Sequence, residues 1–161
     1  MVTANKAVSC LDDDDVVANY PMLVVNCIEL LQQIKERGTY VLLDEDNEIF
    51  DEYKCYLDFS GQPGVGDGFF KWLNDNRWGF PSSELVKLHK TENGYEEFPI
   101  EMEQANVDPN DKKFFAASNA HPAKPEIFEA VDSKWWNWRD VAMQCGIQIR
   151  FLDEQFMRDY N

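Results

Sequence analysis

Basic residues are scarce in this sequence. Lysine and arginine number 15 against 30 aspartates and glutamates, which gives a formal net charge of −15 at pH 7. A field of this sign repels nucleic acid in general and favours basic partners or divalent cations. Part of the excess is local, because Asp12 to Asp15 form an uninterrupted acidic run. We interpret residues 12–17 as a solvated loop.

The residue spacing of a thiolate zinc site is also missing. The four cysteines, Cys10, Cys27, Cys55 and Cys145, form no C-x-x-C pair, and the chain has only two histidines. Structural zinc sites need four such ligands, usually at short spacings. We therefore expect reduced, mostly buried thiols and no cysteine–histidine metal centre.

Long apolar runs are absent as well. No stretch reaches the roughly 20 residues that cross a bilayer, and the first residues lack the basic-then-apolar layout of a secretory signal. We therefore expect a cytoplasmic protein with no membrane association. The chain has 161 residues, of which 44% are hydrophobic, so it can bury a sizeable core. We predict one domain over residues 1–152 and a tail, frayed or briefly helical, over residues 153–161.

What the sequence does contain is an alternation of strand-like and helix-like segments. Compact apolar runs predict strands, and apolar residues three or four positions apart predict helices. Gly38 and Gly146 are expected helix stops, and Asp108 followed by Pro109 predicts a helix that begins there. The predicted strands lie at 1–8, 39–43, 85–88, 126–131 and 147–152. The predicted helices lie at 20–37, 47–57, 67–76, 108–121 and 133–145.

This alternation predicts the fold class. Strands joined by helices form right-handed βαβ units and a parallel sheet. We therefore expect an α/β protein, a three-layer α/β/α sandwich with a mainly parallel central sheet. In such sheets, binding sites form beyond the carboxyl ends of the strands.

Three acidic residues occupy positions where those ends would meet. Asp111 lies in the first turn of a predicted helix, Asp132 follows a predicted strand, and Glu52, beside Asp51, lies on the helix after the second strand. Each alone is typical of a helix cap or a solvated surface. Together, carboxylates without histidine or cysteine suit Mg²⁺ or Mn²⁺, which can activate water for phosphodiester cleavage.

Several motifs follow one another in the order of a known family. They are T-A-N at 3–5, D-E-Y at 51–53, S-G-Q-P-G-V-G-D-G-F-F-K-W-L at 60–73, D-P-N-D-K-K-F-F-A-A at 108–117 and A-V-D-S-K-W-W at 130–136. The chain resembles the PIN-like domains over nearly its whole length, and the 60–73 stretch resembles a bacterial subgroup of them.

The resemblance implies a PIN-type endoribonuclease that holds Mg²⁺ or Mn²⁺ on clustered acids. Glu52, Asp111 and Asp132 match acidic positions of the family, with Asp111 and Asp132 holding the metal and Glu52 completing the cage or orienting water. Asn5 matches a polar residue that supports the family's first acid. That acid is replaced here by Thr3, whose neutral hydroxyl is a weaker ligand for a hard cation.

Three lysines are candidate contacts to RNA phosphates. Lys112, Lys113 and Lys134 adjoin the proposed site acids in sequence. A nuclease of this kind would act on an RNA substrate, could be the toxin of a toxin–antitoxin pair with an antitoxin as protein partner, and could form a homodimer. Two other readings stay open. Thr3 favours a non-catalytic PIN-like binding module, and the net charge favours an acidic inhibitor or immunity-type protein that binds a basic partner.

Overall fold

The computed structural model describes residues 1–7 and 16–161 and confirms the mixed α/β class. The α-helices are α1 Pro21–Arg37, α2 Glu48–Lys54, α3 Val65–Asn76, α4 Lys112–Ala120, α5 Trp135–Gln144 and α6 Glu154–Asp159. The strands are β1 Leu43–Asp44, β2 Leu85–Val86, β3 Lys90–Thr91, β4 Gly94–Tyr95, β5 Ile127–Glu129 and β6 Ile149–Phe151. Five 3-10 helices complete the described part, at Val2–Ala7, Val16–Asn19, Arg77–Gly79, Ser82–Glu84 and Ile100–Ala105.

The strands pair in twos over the described ranges. β1 runs parallel to β2, with Leu43 opposite Leu85, and β5 runs parallel to β6, with Ile127 opposite Ile149. β3 and β4 form an antiparallel hairpin, with Thr91 opposite Gly94. Parallel pairing is thus confirmed in two small sheets. One continuous central sheet between two helical layers stays a prediction.

The expected first strand is wrong where the structure describes it, because Val2–Ala7 is a 3-10 helix that packs on α1 and α3. Asn5 Oδ1 accepts a hydrogen bond from the Asp67 N–H at 3.2 Å. A Cβ on Gly64 would lie 1.9 Å from that oxygen, so the segment docks on α3 only because Gly64 has no side chain. Cys10, the Asp12 to Asp15 run and most of the predicted 12–17 loop lie outside the described residues.

A buried cluster on α1 joins the two ends of the chain. Leu23, Val24, Cys27 and Leu31 form the buried face of α1, which ends at Gly38 in the left-handed conformation. The same cluster includes Phe156 and Met157 of α6, both almost fully buried, together with Ala4. Residues 153–161 therefore contain a short helix with two residues in the core.

In the larger core cluster, the beginning of α4 packs against the beginning of α5. The Phe115 ring of α4 stacks on the Trp135 ring of α5 with 4.7 Å between centroids. Both side chains are at most 3% exposed. Stacked aromatic rings contribute to packing beyond the area that they bury. This contact brings the first turn of α4 beside the turn that joins β5 to α5.

The start of α2 is set by the buried carboxylate of Asp44, which ends β1. Its two oxygens accept hydrogen bonds from the Glu48 N–H at 2.9 Å and the Ile49 N–H at 2.8 Å. These bonds satisfy donors that a helix leaves unpaired at its first turn. α2 is thereby held at the carboxyl end of β1, with Glu52 on it.

No helix in residues 1–7 and 16–161 has the length and apolar character of a membrane span.

Candidate functional site

Asp111 lies directly before α4, where several carboxylates crowd around it. The predicted start of this helix at Asp108 is wrong, since residues 108–111 form a turn in which the Asp108 carbonyl accepts from the Asp111 and Lys112 N–H groups. Burial, followed by repulsion from Asp132, Asp108 and Glu129, raises the pKa of Asp111 to about 6, although Lys113 opposes the shift. Asp111 therefore stands in a strongly negative environment.

Asp132 lies in the turn between β5 and α5 and is half-buried. Its Oδ1 accepts a hydrogen bond from the Lys134 N–H at 3.1 Å, and its own N–H donates to Glu129 Oε1 at 3.0 Å. Repulsion from Asp132 contributes to the raised pKa of both Asp111 and Glu129, so the three carboxylates interact electrostatically. Asp111 and Asp132 therefore interact electrostatically, and their shared role in holding a metal stays a prediction.

Glu129 belongs to this neighbourhood and is absent from the sequence prediction. Its Oε1 accepts the backbone N–H groups of Ala130, Val131 and Asp132 at 2.8, 2.9 and 3.0 Å. Burial, opposed by these three bonds, raises the pKa of the Glu129 carboxyl. The prediction extended the strand to residue 131 and so placed Glu129 inside it. β5 in fact ends at Glu129, so the Glu129 side chain can bind the backbone N–H groups of the three residues that follow it.

Glu52 of α2 reaches the same region through an ion pair. Its Oε2 lies 2.9 Å from Nζ of Lys113, and Lys113 Nζ also donates to the Asn110 carbonyl. Burial, with the Glu129 and Glu52 carboxylates, raises the pKa of Tyr53 to about 12. Glu52 is therefore paired with Lys113 and does not form a close group of three ligands with the two aspartates.

The remaining predicted residues divide into buried and exposed ones. Thr3 is buried in the Val2–Ala7 helix, and Asn5 accepts from Asp67, an acid of α3. Asp51 is exposed on α2 and interacts electrostatically with Arg77 instead of with the aspartates. Thr3, Asn5 and Asp51 thus have structural or surface surroundings in this structure.

The three lysines differ in how far they are free to contact a ligand. Lys113 is 8% exposed and Lys112 is 12% exposed, with Lys112 Nζ hydrogen-bonded to the Asn93 carbonyl and to Glu103. Lys134 is 63% exposed and pairs with Asp108 at 2.6 Å. Lys134 is therefore the one of the three with a side chain open to solvent.

A second group of potential metal ligands lies away from these acids. Across the described ranges, His89, Glu96 and Glu97 are the only three such side chains whose ligand atoms all lie within 4.8 Å of one another. The Glu52, Asp111 and Asp132 carboxylates do not approach one another that closely. A cation among them would need bridging waters, which Mg²⁺ commonly retains in proteins.

No protein-family model, curated protein or solved structure matches this chain. The likeness to PIN-like domains therefore stays a prediction from the sequence motifs. The structure adds two observations: Asp111, Asp132 and Glu129 interact electrostatically, and Lys113, which pairs with Glu52, also acts on Asp111.

Proposed function

We propose that this chain is a metal-dependent nuclease, an endoribonuclease that hydrolyses phosphodiester bonds with carboxylate-bound Mg²⁺ or Mn²⁺. The observation that carries the proposal is the crowding of Asp111 by Asp132, Asp108 and Glu129. Carboxylates forced together repel one another, and a divalent cation relieves that repulsion. The donor set fits the proposed metals, since hard cations prefer carboxylate oxygen.

In the proposed mechanism, Asp111 and Asp132 hold the cation, directly or through water. The bound cation would activate a water molecule and stabilise charge on the phosphodiester. Glu52, paired with Lys113 at the side of this group, would orient the attacking water. Lys134, exposed beside Asp108, offers its ammonium to a phosphate of the RNA.

We place this activity on a PIN-like sandwich. The parallel pairs β1–β2 and β5–β6 would be parts of its central sheet. β1 is followed by α2, which carries Glu52, and β5 is followed by the turn that carries Asp132. Such a nuclease would act in the cytoplasm, and an antitoxin would be the protein that restrains it. A homodimer is the oligomer that the family resemblance suggests.

A Mn²⁺ titration monitored by thermal unfolding tests the proposal. A cation that binds the folded state raises the midpoint with the logarithm of its concentration. We expect this rise in the wild type, no rise in Asp111→Asn, and a wild-type rise in the matched control Asp140→Asn, whose side chain is 81% exposed on α5. Labelled single-stranded RNA should then be cut with Mn²⁺ by the wild type and by the control only.

A second function is favoured by two observations at the same site. The Lys113 ammonium already neutralises Glu52, and the position of the family's first acid is the neutral Thr3. Both favour a non-catalytic PIN-like binding module. In that case Mn²⁺ would leave the wild-type midpoint unchanged and RNA would stay intact. The net charge of −15 then makes a basic protein the expected partner, and its capture should weaken as salt is added.

A further inference from the structure

The open end of the β3–β4 hairpin gathers a second set of metal-ligating side chains. The hairpin register places Lys90 opposite Tyr95, and one step outward the Glu96 N–H donates to the His89 carbonyl at 2.9 Å. Residues directly opposite on an antiparallel pair project to the same face. His89 and Glu96 are therefore neighbours across the hairpin.

Glu97 joins them because the chain turns after Tyr95. The Phe98 N–H donates to the Tyr95 carbonyl at 3.1 Å, which directs the Glu97 side chain back to His89. Glu97 Oε2 accepts the His89 N–H at 2.9 Å, and Glu97 Oε1 lies 2.5 Å from Nδ1 of the imidazole. Two carboxylates and one imidazole thus converge on one point.

We propose that His89, Glu96 and Glu97 bind one divalent cation of the borderline class, Zn²⁺ or Co²⁺. The three ligand atoms lie within 4.8 Å of one another. One imidazole nitrogen with two carboxylate oxygens, completed by water, is a donor set that suits these ions. The site shares no residue with the acids around Asp111 and does not depend on the function proposed for them.

The Glu96 carboxylate adds a third ligand to the ion pair between His89 and Glu97. A pair between His89 and Glu97 needs one carboxylate, yet the Glu96 carboxylate is also within reach and has no hydrogen-bond or ion-pair partner among the described residues. The His89 side chain is 50% exposed, so an ion can enter from solvent. All three side chains would coordinate a bound cation.

The site would also link the hairpin to the rest of the fold. Asn119 of α4 donates a hydrogen bond to the Glu97 carbonyl at 2.9 Å. A cation that fixes Glu97 against His89 would therefore hold the hairpin end against α4. We expect Zn²⁺ to raise the thermal midpoint of the full chain through this contact.

Titration of the full chain with Co²⁺, followed by visible absorption, tests the site, with Zn²⁺ calorimetry as a second readout. In the Asp111→Asn background, which removes the proposed nuclease site, we expect one equivalent to bind without a thiolate charge-transfer band. Even outer-shell partners of a metal contribute about 10–100-fold to affinity, so His89→Asn should weaken binding at least about 100-fold. Glu96→Gln should weaken binding too while it keeps the contact between His89 and Glu97. The other histidine provides the matched control, since His121→Asn should bind as the wild type does.

Three outcomes would overturn the site. Equal affinity in the wild type and in His89→Asn would place the ion elsewhere, and unchanged affinity in Glu96→Gln would reduce the cluster to an ion pair. A thiolate band would assign the ion to cysteine. Thermal unfolding without metal establishes that each variant is folded. Asp111→Asn should keep Co²⁺ binding, which separates this site from the proposed nuclease site.

Discussion

Lys113 interacts both with Glu52 of α2 and with Asp111, the residue directly before α4. Its ammonium lies 2.9 Å from the Glu52 carboxylate of α2. The same ammonium partly offsets the rise in the pKa of Asp111 that burial and acidic neighbours cause. The lysine side chain is 8% exposed and the glutamate side chain 35%. One buried cation therefore compensates charge on two sides of the candidate site.

Replacing that cation should destabilise the fold. Removing one partner of a buried pair costs about 3–5 kcal/mol. Because Glu52 is partly exposed, we expect Lys113→Met to lose roughly 1–3 kcal/mol of unfolding free energy in urea. Lys71→Met, which breaks an exposed pair with Asp75, should change the unfolding free energy by less than about 0.5 kcal/mol. The double variant Glu52→Gln/Lys113→Met should recover part of the loss, and a purely additive result would contradict the pairing.

Removing the charge of Asp111 should stabilise the chain when no metal is present. The pKa of Asp111 is about 6 in the folded chain against an ordinary 3.8. Between these pH values the folded state binds more protons than the unfolded state, so the contribution of Asp111 to stability falls as pH rises and stays unfavourable above pH 6. After discounting for partial exposure, we expect Asp111→Asn to gain on the order of 1 kcal/mol at pH 7.5.

Thermal unfolding in a metal chelator measures this effect. For a chain of this length, about 1 kcal/mol corresponds to a midpoint shift of roughly 2–4 °C. The difference between Asp111→Asn and wild type should shrink as pH falls from about 6 towards 3.8, because Asp111 then becomes protonated in the folded wild type and loses its unfavourable charge. Asp140→Asn should show no such trend. A lower midpoint for Asp111→Asn at pH 7.5 would show that its carboxylate is not crowded.

Glu129 should act mainly as an acceptor that shapes the turn before Asp132. Glu129→Ala leaves three N–H groups without a protein acceptor in a partly exposed turn, and an unsatisfied group costs about 1–3 kcal/mol where water cannot reach it. We expect a total loss of roughly 2–4 kcal/mol, since water can replace part of these bonds. Glu129→Gln keeps an acceptor oxygen and should lose less than about half as much.

The Mn²⁺ response of the glutamine variant separates positioning from metal binding. If Glu129 only positions Asp132, Glu129→Gln should keep the metal-induced rise in the unfolding midpoint. If its carboxylate is a ligand, the rise should disappear although the apo variant is stable. A glutamine variant as unstable as the alanine variant would show that charge, and not acceptance of the three N–H groups, holds the turn.

The glycines before and within α3 should differ in their tolerance of alanine. A Cβ on Gly64 would lie 1.9 Å from Asn5 Oδ1, whereas the nearest atom to a Cβ on Gly68 is the Gly61 carbonyl oxygen at 3.7 Å. Gly64→Ala should therefore destabilise by about 1–3 kcal/mol through overpacking. Gly68→Ala lies inside a helix and should stabilise by up to about 1 kcal/mol. Chemical denaturation of both variants tests this, and equal effects would contradict the close approach of Asn5 to α3.

Phe156, although near the carboxyl end of the chain, should contribute as much to the free energy of unfolding as a buried phenylalanine in the middle of the chain. Its side chain is 3% exposed in the cluster with α1, and truncation of a buried phenylalanine costs about 3–5 kcal/mol. Phe156→Ala should therefore unfold at a clearly lower urea concentration than wild type. Met143→Ala, at a side chain that is 57% exposed, should stay close to wild type. An unaffected Phe156→Ala would mean that residues 153–161 do not contribute to the core.

The sequence by itself determined the helices and their ends most accurately. α1 lies within one residue of its prediction because Pro21 begins the helix and Gly38 takes the left-handed conformation after it. Four predicted strands overlap strands of the structure, but these are shorter, with β1 limited to Leu43–Asp44, and the strand expected at 1–8 is a 3-10 helix over Val2–Ala7. Periodicity cannot show where pairing stops, since pairing depends on a partner strand elsewhere in the chain.

Only the tertiary structure decided the faces and partners of these elements. Nearly every residue from Met22 to Leu31 is apolar, so spacing alone does not show which of them are buried, and Met22 and Val25 are in fact exposed. The pairing of Lys113 with Glu52, and the return of Glu129 over the turn before Asp132, depend on side chains that meet after the helices have packed. The sequence carries the acids that can meet at Asp111. Burial and the approach of α2, α4 and β5 determine which of them meet and how strongly they repel.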